Sequence, residues 1–183
     1  MRIISGTHKG KKLTAPKKLP VRPTTDFAKE ALFNILTNRI DFTTVTLLDL
    51  FAGTGNISFE FASRGTSQIT AVDNFYGCVK YIQKISKELE FNIQPFKADA
   101  YQFLNRSRHT FDIIFADPPY DFLQTQFEEI TKLVFEKSLL TKAGILIIEH
   151  SKHTNLSNNP YHTESRRYGG SVFSFFERKH DSE

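Results

Sequence analysis

The segment Asp117-Pro118-Pro119-Tyr120 is the part of this sequence whose residue types are best suited to chemistry. It follows the apolar run 111–116, which is typical of a strand buried on both faces. Two successive prolines cannot continue a strand, so the chain must leave it as a stiff, extended loop. We expect this loop to hold the Asp117 carboxylate and the Pro118 carbonyl as neighbouring hydrogen-bond acceptors.

Two neighbouring acceptors suit a planar amino group, which has two N–H bonds to donate. The exocyclic amine of adenine or guanine is a weak nucleophile because its lone pair is delocalised into the ring. Accepting both hydrogens favours a pyramidal nitrogen and holds it in line with an electrophilic methyl group. Tyr120 adds a flat face on which an extruded base could stack. The segment therefore predicts methyl transfer to a base amine, and the alternative is a proline-stiffened turn with a surface tyrosine.

The second candidate group is the segment 47–56, LLDLFAGTGN, which leads from an apolar run into a glycine turn. Gly53 and Gly55 let the backbone turn sharply and approach a ligand closely, and Asn56 could cap the helix that follows. Two glycines at this spacing are a weak signal, and an ordinary strand-to-helix turn is the alternative. Their position strengthens the signal, because ligands of open parallel sheets bind at the carboxyl ends of strands.

Three successive predicted strands end at or next to an acidic residue. Asp49 lies in the end of the first strand, Asp73 follows the second and Asp99 follows the third. The Asp73 carboxylate could accept from both hydroxyls of a ribose, and Asp99 could accept from the amino group of an adenine. Each alone is more often a cap or a solvated charge, but three at one sheet edge indicate a nucleoside site. An acidic rim also suits a cationic sulfonium better than a pyrophosphate.

An alternation of short apolar runs and longer amphipathic stretches must position these residues. The runs predict strands at 46–50, 68–72, 93–97, 111–116 and 145–149. The stretches between them predict helices at 57–63, 76–89, 101–105 and 124–135. Strands separated by helices indicate right-handed crossovers and a mostly parallel sheet covered on both faces.

The end of the sequence departs from this alternation. The last predicted strands, 163–168 and 171–179, flank Gly169-Gly170, which is a two-residue hairpin signal. We therefore predict an α/β fold: a Rossmann-like, mostly parallel seven-stranded sheet that ends in an antiparallel hairpin.

Positive charge is concentrated at the N-terminal end, although the net charge is only +4. No acidic residue precedes Asp26, and this stretch carries seven basic residues: Arg2, Lys9, Lys11, Lys12, Lys17, Lys18 and Arg22. Such an arm suits a polyanionic partner, because each neutralised phosphate releases counterions. A solvated, solubilising terminus is the alternative, and charge alone does not choose between the two.

The N-terminal arm should also have some structure of its own. The segments RIISG and KKLTA could pair as a short β-hairpin across residues 6–10. Prolines should keep residues 21–25 extended. A helix over 26–36 should follow, with Thr25 or Asp26 as its N-cap and Ala31, Leu32, Ile35 and Leu36 as its apolar stripe.

Composition narrows the class of protein further. At 183 residues the chain has the size of one domain. No apolar run approaches the roughly 20 residues of a membrane helix, and the first residues do not resemble a signal peptide. A single cysteine, Cys78, allows neither an intramolecular disulfide nor a thiolate metal cluster, and its expected place away from Asp117 argues against a cysteine nucleophile. We expect a cytoplasmic protein that uses no metal.

These motifs together resemble the class I methyltransferases that act on amino nitrogens. The set that carries the resemblance is RIISG, GKKL, RPTTD, EALFNIL, LLDLFAGTG, SRG, VD, DPPY, IIEH and RRYG. From Arg2 to Phe176 it is similar to one branch, the bacterial small-subunit (16S) ribosomal RNA guanine-N2 methyltransferases. After RPTTD this sequence has Phe27, Ala28 and Lys29, where that family usually carries basic residues on both sides of an apolar one.

The resemblance implies S-adenosyl-L-methionine as the cofactor and assigns a role to each candidate residue. The implied target-amine site is Asp117, Pro118, Pro119 and Tyr120. The implied cofactor-binding residues are Asp49, Phe51, Gly53, Gly55, Asp73, Asn74, Asp99 and Ala100. The implied RNA-binding residues are Arg2, Lys9, Lys11, Lys12, Arg22 and Thr24. For Arg166, Arg167 and Tyr168, contact with RNA and a solvated strand edge both stay open.

The resemblance also implies an organisation, a substrate and a partner. Residues 1–22 would be a basic RNA-binding appendage, and residues 23–183 the methyltransferase domain. The substrate would be guanine N2 of small-subunit rRNA, within an assembled or assembling ribosomal particle, and the enzyme a monomer. Two alternatives remain: an amino-methyltransferase for another RNA or for DNA adenine N6, and a non-catalytic RNA-binding module with a methyltransferase-like core.

Overall fold

Seven strands and five helices make up the described part of the chain, which in this computed structural model comprises residues 1–16, 18–19 and 25–178. The strands are β1 Thr46–Leu50, β2 Gln68–Asp73, β3 Ile93–Lys97, β4 Phe111–Ala116, β5 Leu140–Ser151, β6 His162–Tyr168 and β7 Ser171–Glu177. The helices are α1 Asp26–Thr37, α2 Asn56–Ser63, α3 Tyr76–Glu88, α4 Ala100–Arg106 and α5 Gln124–Glu136. Within these residues, none of the helices has an apolar stretch long enough to cross a bilayer.

The strands form one sheet in the order β3-β2-β1-β4-β5-β7-β6. The first five in this order are parallel, whereas β7 runs antiparallel to β5 and β6 antiparallel to β7. From β1 the chain adds β2 and β3 on one side and then β4 and β5 on the other, so the order of strand addition reverses between β1 and β4. Ligands of such sheets bind at this switch point. This architecture confirms the predicted Rossmann-like fold with its antiparallel end.

The central strands are continuous apolar runs because both faces of the sheet are covered. Neighbouring residues of a strand point to opposite faces. Leu47 and Ile113 therefore belong to one apolar core, together with residues of α1, α2 and α3. Leu48 and Ile114 belong to a second core, which they share with residues of α4 and α5.

Three local predictions need correction. The strand predicted at 145–149 is longer, because β5 begins at Leu140 beside Phe111 of β4. Helix α1 buries Lys29 and Phe33 beside Leu32 and Leu36, whereas Ala31 and Ile35 of the predicted stripe are only half-buried. Asn56 does not cap α2 but is its first residue, since Gly55 occupies the cap position.

The N-terminal segment forms the predicted turn, although its pairing is limited to one bridge between Arg2 and Lys12. The Ile3 N–H donates to the Lys11 carbonyl at 3.0 Å, and Ile3 and Leu13 are buried in the first apolar core. We call residues 1–13 the N-terminal hairpin. Lys17, Arg22 and Thr24 lie outside the described residues, as does the predicted extended segment except for Thr25, which is extended.

Candidate active site

A cavity of about 530 Å³ opens at the carboxyl edge of the parallel strands, where β1 and β4 separate. The predicted residues that line it are Asp49, Phe51, Gly53, Asp73, Asn74, Asp99, Asp117, Pro118, Pro119 and Tyr120. Gly55 and Ala100 do not line it: they are the N-cap of α2 and the buried first residue of α4. The structure therefore brings the aspartate-proline loop, the glycine turn and the acidic strand ends to one place.

Ten further residues, which were not predicted to bind a ligand, also line the cavity. They are Ala52, Thr54, Asn56, Ile57, Phe75, Cys78, Tyr101, Phe115, Phe122 and Gln126. Several immediately follow a predicted strand end, so their position in the sequence was a usable signal. Gln126, in contrast, comes from the first turn of α5, and only the folded chain brings it to the cavity.

The glycine turn between β1 and α2 is held in an uncommon backbone conformation. Phe51, Gly53 and Gly55 have positive φ angles of 59°, 54° and 75°. A phenylalanine in the left-handed region is rare and costs energy, and such residues cluster at functional sites. At Gly55, a Cβ atom would lie 2.9 Å from the Ile82 side chain. The turn therefore presents bare backbone to the cavity and leaves no room for a side chain behind it.

Asp73, at the end of β2, fixes this turn. One carboxylate oxygen accepts from the Gly53 N–H at 2.8 Å, and the other accepts from the Phe75 N–H at 2.8 Å. A carboxylate has about four lone-pair sites, so both oxygens keep capacity to accept from a ligand. Asp73 thus lies at the cavity wall already oriented by the backbone around it.

Asp49 is the buried acid of the site. It is 2% exposed, and its Oδ2 accepts from the Ser58 hydroxyl at 2.6 Å and from the Ser58 N–H at 3.2 Å. Burial raises the pKa of Asp49 to about 7, and the nearby Asp73 charge adds to this, while the Ser58 hydrogen bonds oppose it. A cation in the cavity would favour the ionised form of this carboxyl group.

Aromatic rings form the wall near Asp99. The Tyr101 and Phe122 rings stack at 6.4 Å between centroids, and Phe51 meets Phe122 edge-on at 5.6 Å. The Tyr101 hydroxyl donates to the Gln126 carbonyl at 3.0 Å, which joins α4 to α5. Asp99 itself caps α4, because its Oδ1 accepts from the Gln102 N–H at 3.0 Å.

The aspartate-proline loop forms the opposite wall and the mouth of the cavity. The Asp117 N–H donates to the Leu50 carbonyl of β1 at 3.4 Å, so the loop starts beside the glycine turn. Pro118 is buried and Pro119 is exposed. The Tyr120 side chain is 47% exposed at the mouth, where it can meet a base that enters from solvent.

Cys78, which was expected to lie away from Asp117, lines this same cavity. Burial raises the pKa of its thiol to about 12, with the Asp73 carboxylate adding to the shift. A thiol with so high a pKa is not ionised near neutral pH and is a poor nucleophile. The expectation that Cys78 does not attack the substrate therefore rests on its protonation, not on distance.

The four predicted RNA-binding residues that the structure describes are not among those that line the cavity. Arg2, Lys9, Lys11 and Lys12 are exposed on the N-terminal hairpin, and the Arg2 Nε is 3.9 Å from an Asp26 carboxylate oxygen. Lys29, by contrast, is buried, so it cannot contact RNA. Among residues 1–16, 18–19 and 25–178, His, Cys, Asp and Glu form no group of three or more suited to a metal ion.

Comparison with known proteins gives consistent matches. A family model described as "Conserved hypothetical protein 95" matches residues 1–177. The Bacillus subtilis protein YlbH is 34% identical over 161 residues, 85% of each protein. Ribosomal RNA small subunit methyltransferase D of Escherichia coli is 30% identical over 168 residues, 87% of this chain and 79% of that protein.

Solved structures show the same fold. The Escherichia coli protein yhhF superposes with a TM-score of 0.82 at 26% identity, over 98% of both chains. The Thermus thermophilus 16S rRNA N2 G1207 methyltransferase, in complex with AdoMet and guanosine, superposes with a TM-score of 0.70 at 19% identity. The match covers 88% of this chain and 45% of the Thermus chain.

Proposed function

The chain belongs to the family described as conserved hypothetical protein 95, and we propose that it methylates small-subunit rRNA with S-adenosylmethionine. Relatives named ribosomal RNA small subunit methyltransferase D support an rRNA substrate. The observation that carries the proposal is the single cavity in which the aspartate-proline loop faces the glycine turn and the acidic strand ends. An rRNA substrate also implies that the protein acts in the cytoplasm.

The residues of the cavity fit a cationic nucleoside cofactor. Asp49 lies at the end where a sulfonium and an amino acid moiety would bind, beside Phe51 and the bare backbone of Gly53, with Gly55 behind them as the N-cap of α2. Asp73 would accept hydrogen bonds from the ribose hydroxyls, with Asn74 beside it. The adenine would lie near Asp99 and Ala100 against the ring of Tyr101. When bound, S-adenosylmethionine would supply the electrophilic methyl group.

The substrate amine is assigned to the aspartate-proline loop. The Asp117 carboxylate and the Pro118 carbonyl would each accept one N–H, which directs the nitrogen lone pair toward the cofactor side of the cavity. Tyr120 would stack on the extruded base. Asp117 would also accept or relay the proton that the amine loses after transfer.

Guanine N2 is the amine we propose within this class. The resemblance of the whole motif set supports it. The N-terminal hairpin, with four exposed cations, would hold rRNA phosphates, together with Arg22 and Thr24. We also propose that a monomer acts on an assembled or assembling particle, because the short arm has little surface for selecting one base.

Asp117→Ala tests the reaction directly. Tritium transfer from labelled S-adenosylmethionine to small subunits of cells that lack the protein should fall by at least 100-fold, while cofactor affinity by calorimetry stays within about threefold. Full transfer by the variant would contradict the proposed site. Absence of cofactor binding by the unmodified protein would favour the non-catalytic RNA-binding alternative.

Nucleoside analysis of the labelled product tests the choice of amine. N2-methylguanosine from the small-subunit rRNA is expected. N6-methyladenine, or a label that enters only DNA or another RNA, would contradict the guanine assignment while leaving the methyltransferase activity in place.

A further inference from the structure

A pair of aromatic side chains outside the cavity has no role in the function proposed so far. Phe27, in the first turn of α1, is 66% exposed, which is unusual for a phenylalanine. Its ring meets the Tyr168 ring edge-on at 6.3 Å between centroids. Tyr168, at the end of β6, is half-buried against the first apolar core.

This pair lies on the same edge of the sheet as the cavity. β7 begins at Ser171, which pairs with Ser151 at the end of β5, and β5 runs parallel to β4. The turn after Tyr168 is therefore at the carboxyl edge of the parallel strands. Ring contacts also connect the two places, from Tyr168 to Phe173 at 6.3 Å and on to Phe115, which lines the cavity, at 6.5 Å.

The charge around the pair suits a polyanion. Arg2 is exposed and comes within 3.9 Å of Asp26, the residue before Phe27, and Lys12 pairs with Arg2 across the N-terminal hairpin. Arg167 is exposed beside Tyr168. The first two turns of α1 carry two acidic residues, Asp26 and Glu30, against the three cations Arg2, Lys12 and Arg167. Exposed rings with interleaved cations are typical of surfaces that bind single-stranded RNA.

We propose that Phe27 and Tyr168 stack an unpaired rRNA base next to the target nucleotide, while Arg2, Lys12 and Arg167 hold the adjoining phosphates. This inference rests on the proposed function, because it assumes an RNA substrate. Two rings are too small for the apolar centre of a stable protein–protein interface, which favours RNA over a protein partner. The platform would hold the strand while the target base enters the cavity past Tyr120.

Phe27→Ala tests the platform, with Phe27→Trp as the conservative variant and Phe96→Ala as a matched control. Phe96 is 44% exposed on β3, at the other side of the sheet, and does not line the cavity. The probe is a single-stranded RNA of about 12 nucleotides that contains 2-aminopurine, a length within known site sizes. Its fluorescence falls when the base stacks on an aromatic ring.

We expect Phe27→Ala to weaken binding about tenfold and to remove the quenching, because stacking of one base contributes at about this level. Phe27→Trp and Phe96→Ala should bind and quench as the unmodified protein does. Arg167→Gln should instead reduce the slope of log affinity against log salt by about 0.7. For small subunits, Phe27→Ala should raise KM and leave kcat and cofactor affinity unchanged.

Unchanged RNA binding and quenching in Phe27→Ala would overturn the proposal. If only methylation of assembled subunits falls, with binding of naked RNA intact, the pair contacts a protein of the particle, which also overturns it. The binding assay needs no methyl transfer. Loss of quenching in Phe27→Ala, combined with an unmodified protein that transfers no methyl group, would refute the proposed function and keep the platform.

Discussion

At the scale of single residues, Asp49 links burial to ligand binding. Its pKa of about 7 means that the carboxyl group is largely protonated below neutral pH, mainly because it is buried. A bound cation stabilises the ionised form, so binding must release the proton when the pH lies below 7. The cofactor is therefore expected to bind more tightly as the pH rises through this value.

The affinity for S-adenosylmethionine should increase about tenfold between pH 6 and pH 8, since one proton is linked to binding. Calorimetry in two buffers of different ionisation enthalpy at pH 6 would measure the released proton. Asp49→Asn should bind weakly at both pH values and release no proton from this group. Any pH dependence that the variant keeps belongs to the cofactor, and an equal dependence in both proteins would show that Asp49 is not the linked group.

Residue identity alone could not reveal the state of Lys29. The sequence places it where a basic RNA-binding residue is usual, but its side chain is 1% exposed. Its Nζ donates to the Asn56 Oδ1 at 2.8 Å and to the Arg2 carbonyl, and it lies 3.3 Å from the buried Glu60. These partners are far apart in the sequence, and only the packed chain brings them together. The Asp117–Tyr120 loop, in contrast, was predictable because its residues are consecutive.

Lys29→Met should lower the free energy of unfolding by about 3 kcal/mol, because it removes one of the two cationic partners of the buried Glu60 and leaves Arg64 as the other. Urea denaturation would measure the loss. The double variant with Glu60→Gln should lose less than the sum of the two single losses, since either single replacement already removes the pair between Lys29 and Glu60. Additive losses in the double variant would contradict a coupled pair.

At the scale of elements, the strands were predicted closely and the contacts of the N-terminal hairpin were not. Strand positions follow from apolar runs, which is why β1, β3 and β4 have the predicted bounds. The hairpin packs on α2 through long-range contacts that no local pattern encodes. The Thr7 N–H donates to the Ser63 carbonyl at 2.7 Å, and the Ile4 N–H donates to Glu60 at 2.8 Å.

Gly6→Ala should detach the hairpin from α2. A Cβ atom on Gly6 would lie 1.8 Å from the Ser63 carbonyl oxygen, and the backbone there cannot yield as a flexible side chain would. Gly10→Ala is the matched control, because its φ of 84° is almost the same as the 83° of Gly6 and no atom lies within 4 Å of the added Cβ.

In both variants the free energy of unfolding should fall by roughly 1 kcal/mol, because alanine is strained at a positive φ. In Gly6→Ala it should fall by about 2 kcal/mol more, because the added Cβ overpacks against Ser63. Chemical denaturation would compare the two. Gly6→Ala should also bind rRNA less tightly than Gly10→Ala, because the hairpin cations would no longer be held in place. Equal stability of the two variants would contradict the close packing at Ser63.

At the scale of the whole molecule, the order of the strands determines where the site forms. Asp49, Asp73, Asp99 and Asp117 come from four strand ends that are distant in the sequence, and the parallel sheet brings them to one edge. The sequence predicted this edge because alternating strands and helices imply it. Phe122, in the loop before α5, and Gln126, in the first turn of α5, were not predicted, since their approach depends on how α5 packs.

S-adenosylmethionine should stabilise the whole domain, because a ligand that binds only the folded state shifts the unfolding equilibrium. At 100 times the dissociation constant the gain is about 2.7 kcal/mol, or about 5–10 °C in Tm for a chain of this size. Asp73→Ala should lose most of this shift, because the Gly53 N–H would lose the carboxylate that fixes the glycine turn. Thermal denaturation with and without the cofactor measures both shifts, and an equal shift in the variant would exclude Asp73 from binding.

The burial of Ile3 and Leu13 bears on how this protein can be dissected experimentally. Deleting residues 1–13 to ask whether the hairpin recognises RNA would expose the part of the first apolar core that Ile3 and Leu13 cover. It would also remove two backbone N–H groups that donate to Glu60. The shortened chain would then be prone to aggregate, and its failure in an assay would say nothing about recognition. Replacing Lys9, Lys11 and Lys12 by glutamine removes the charges and keeps the hairpin packed, so this variant tests recognition.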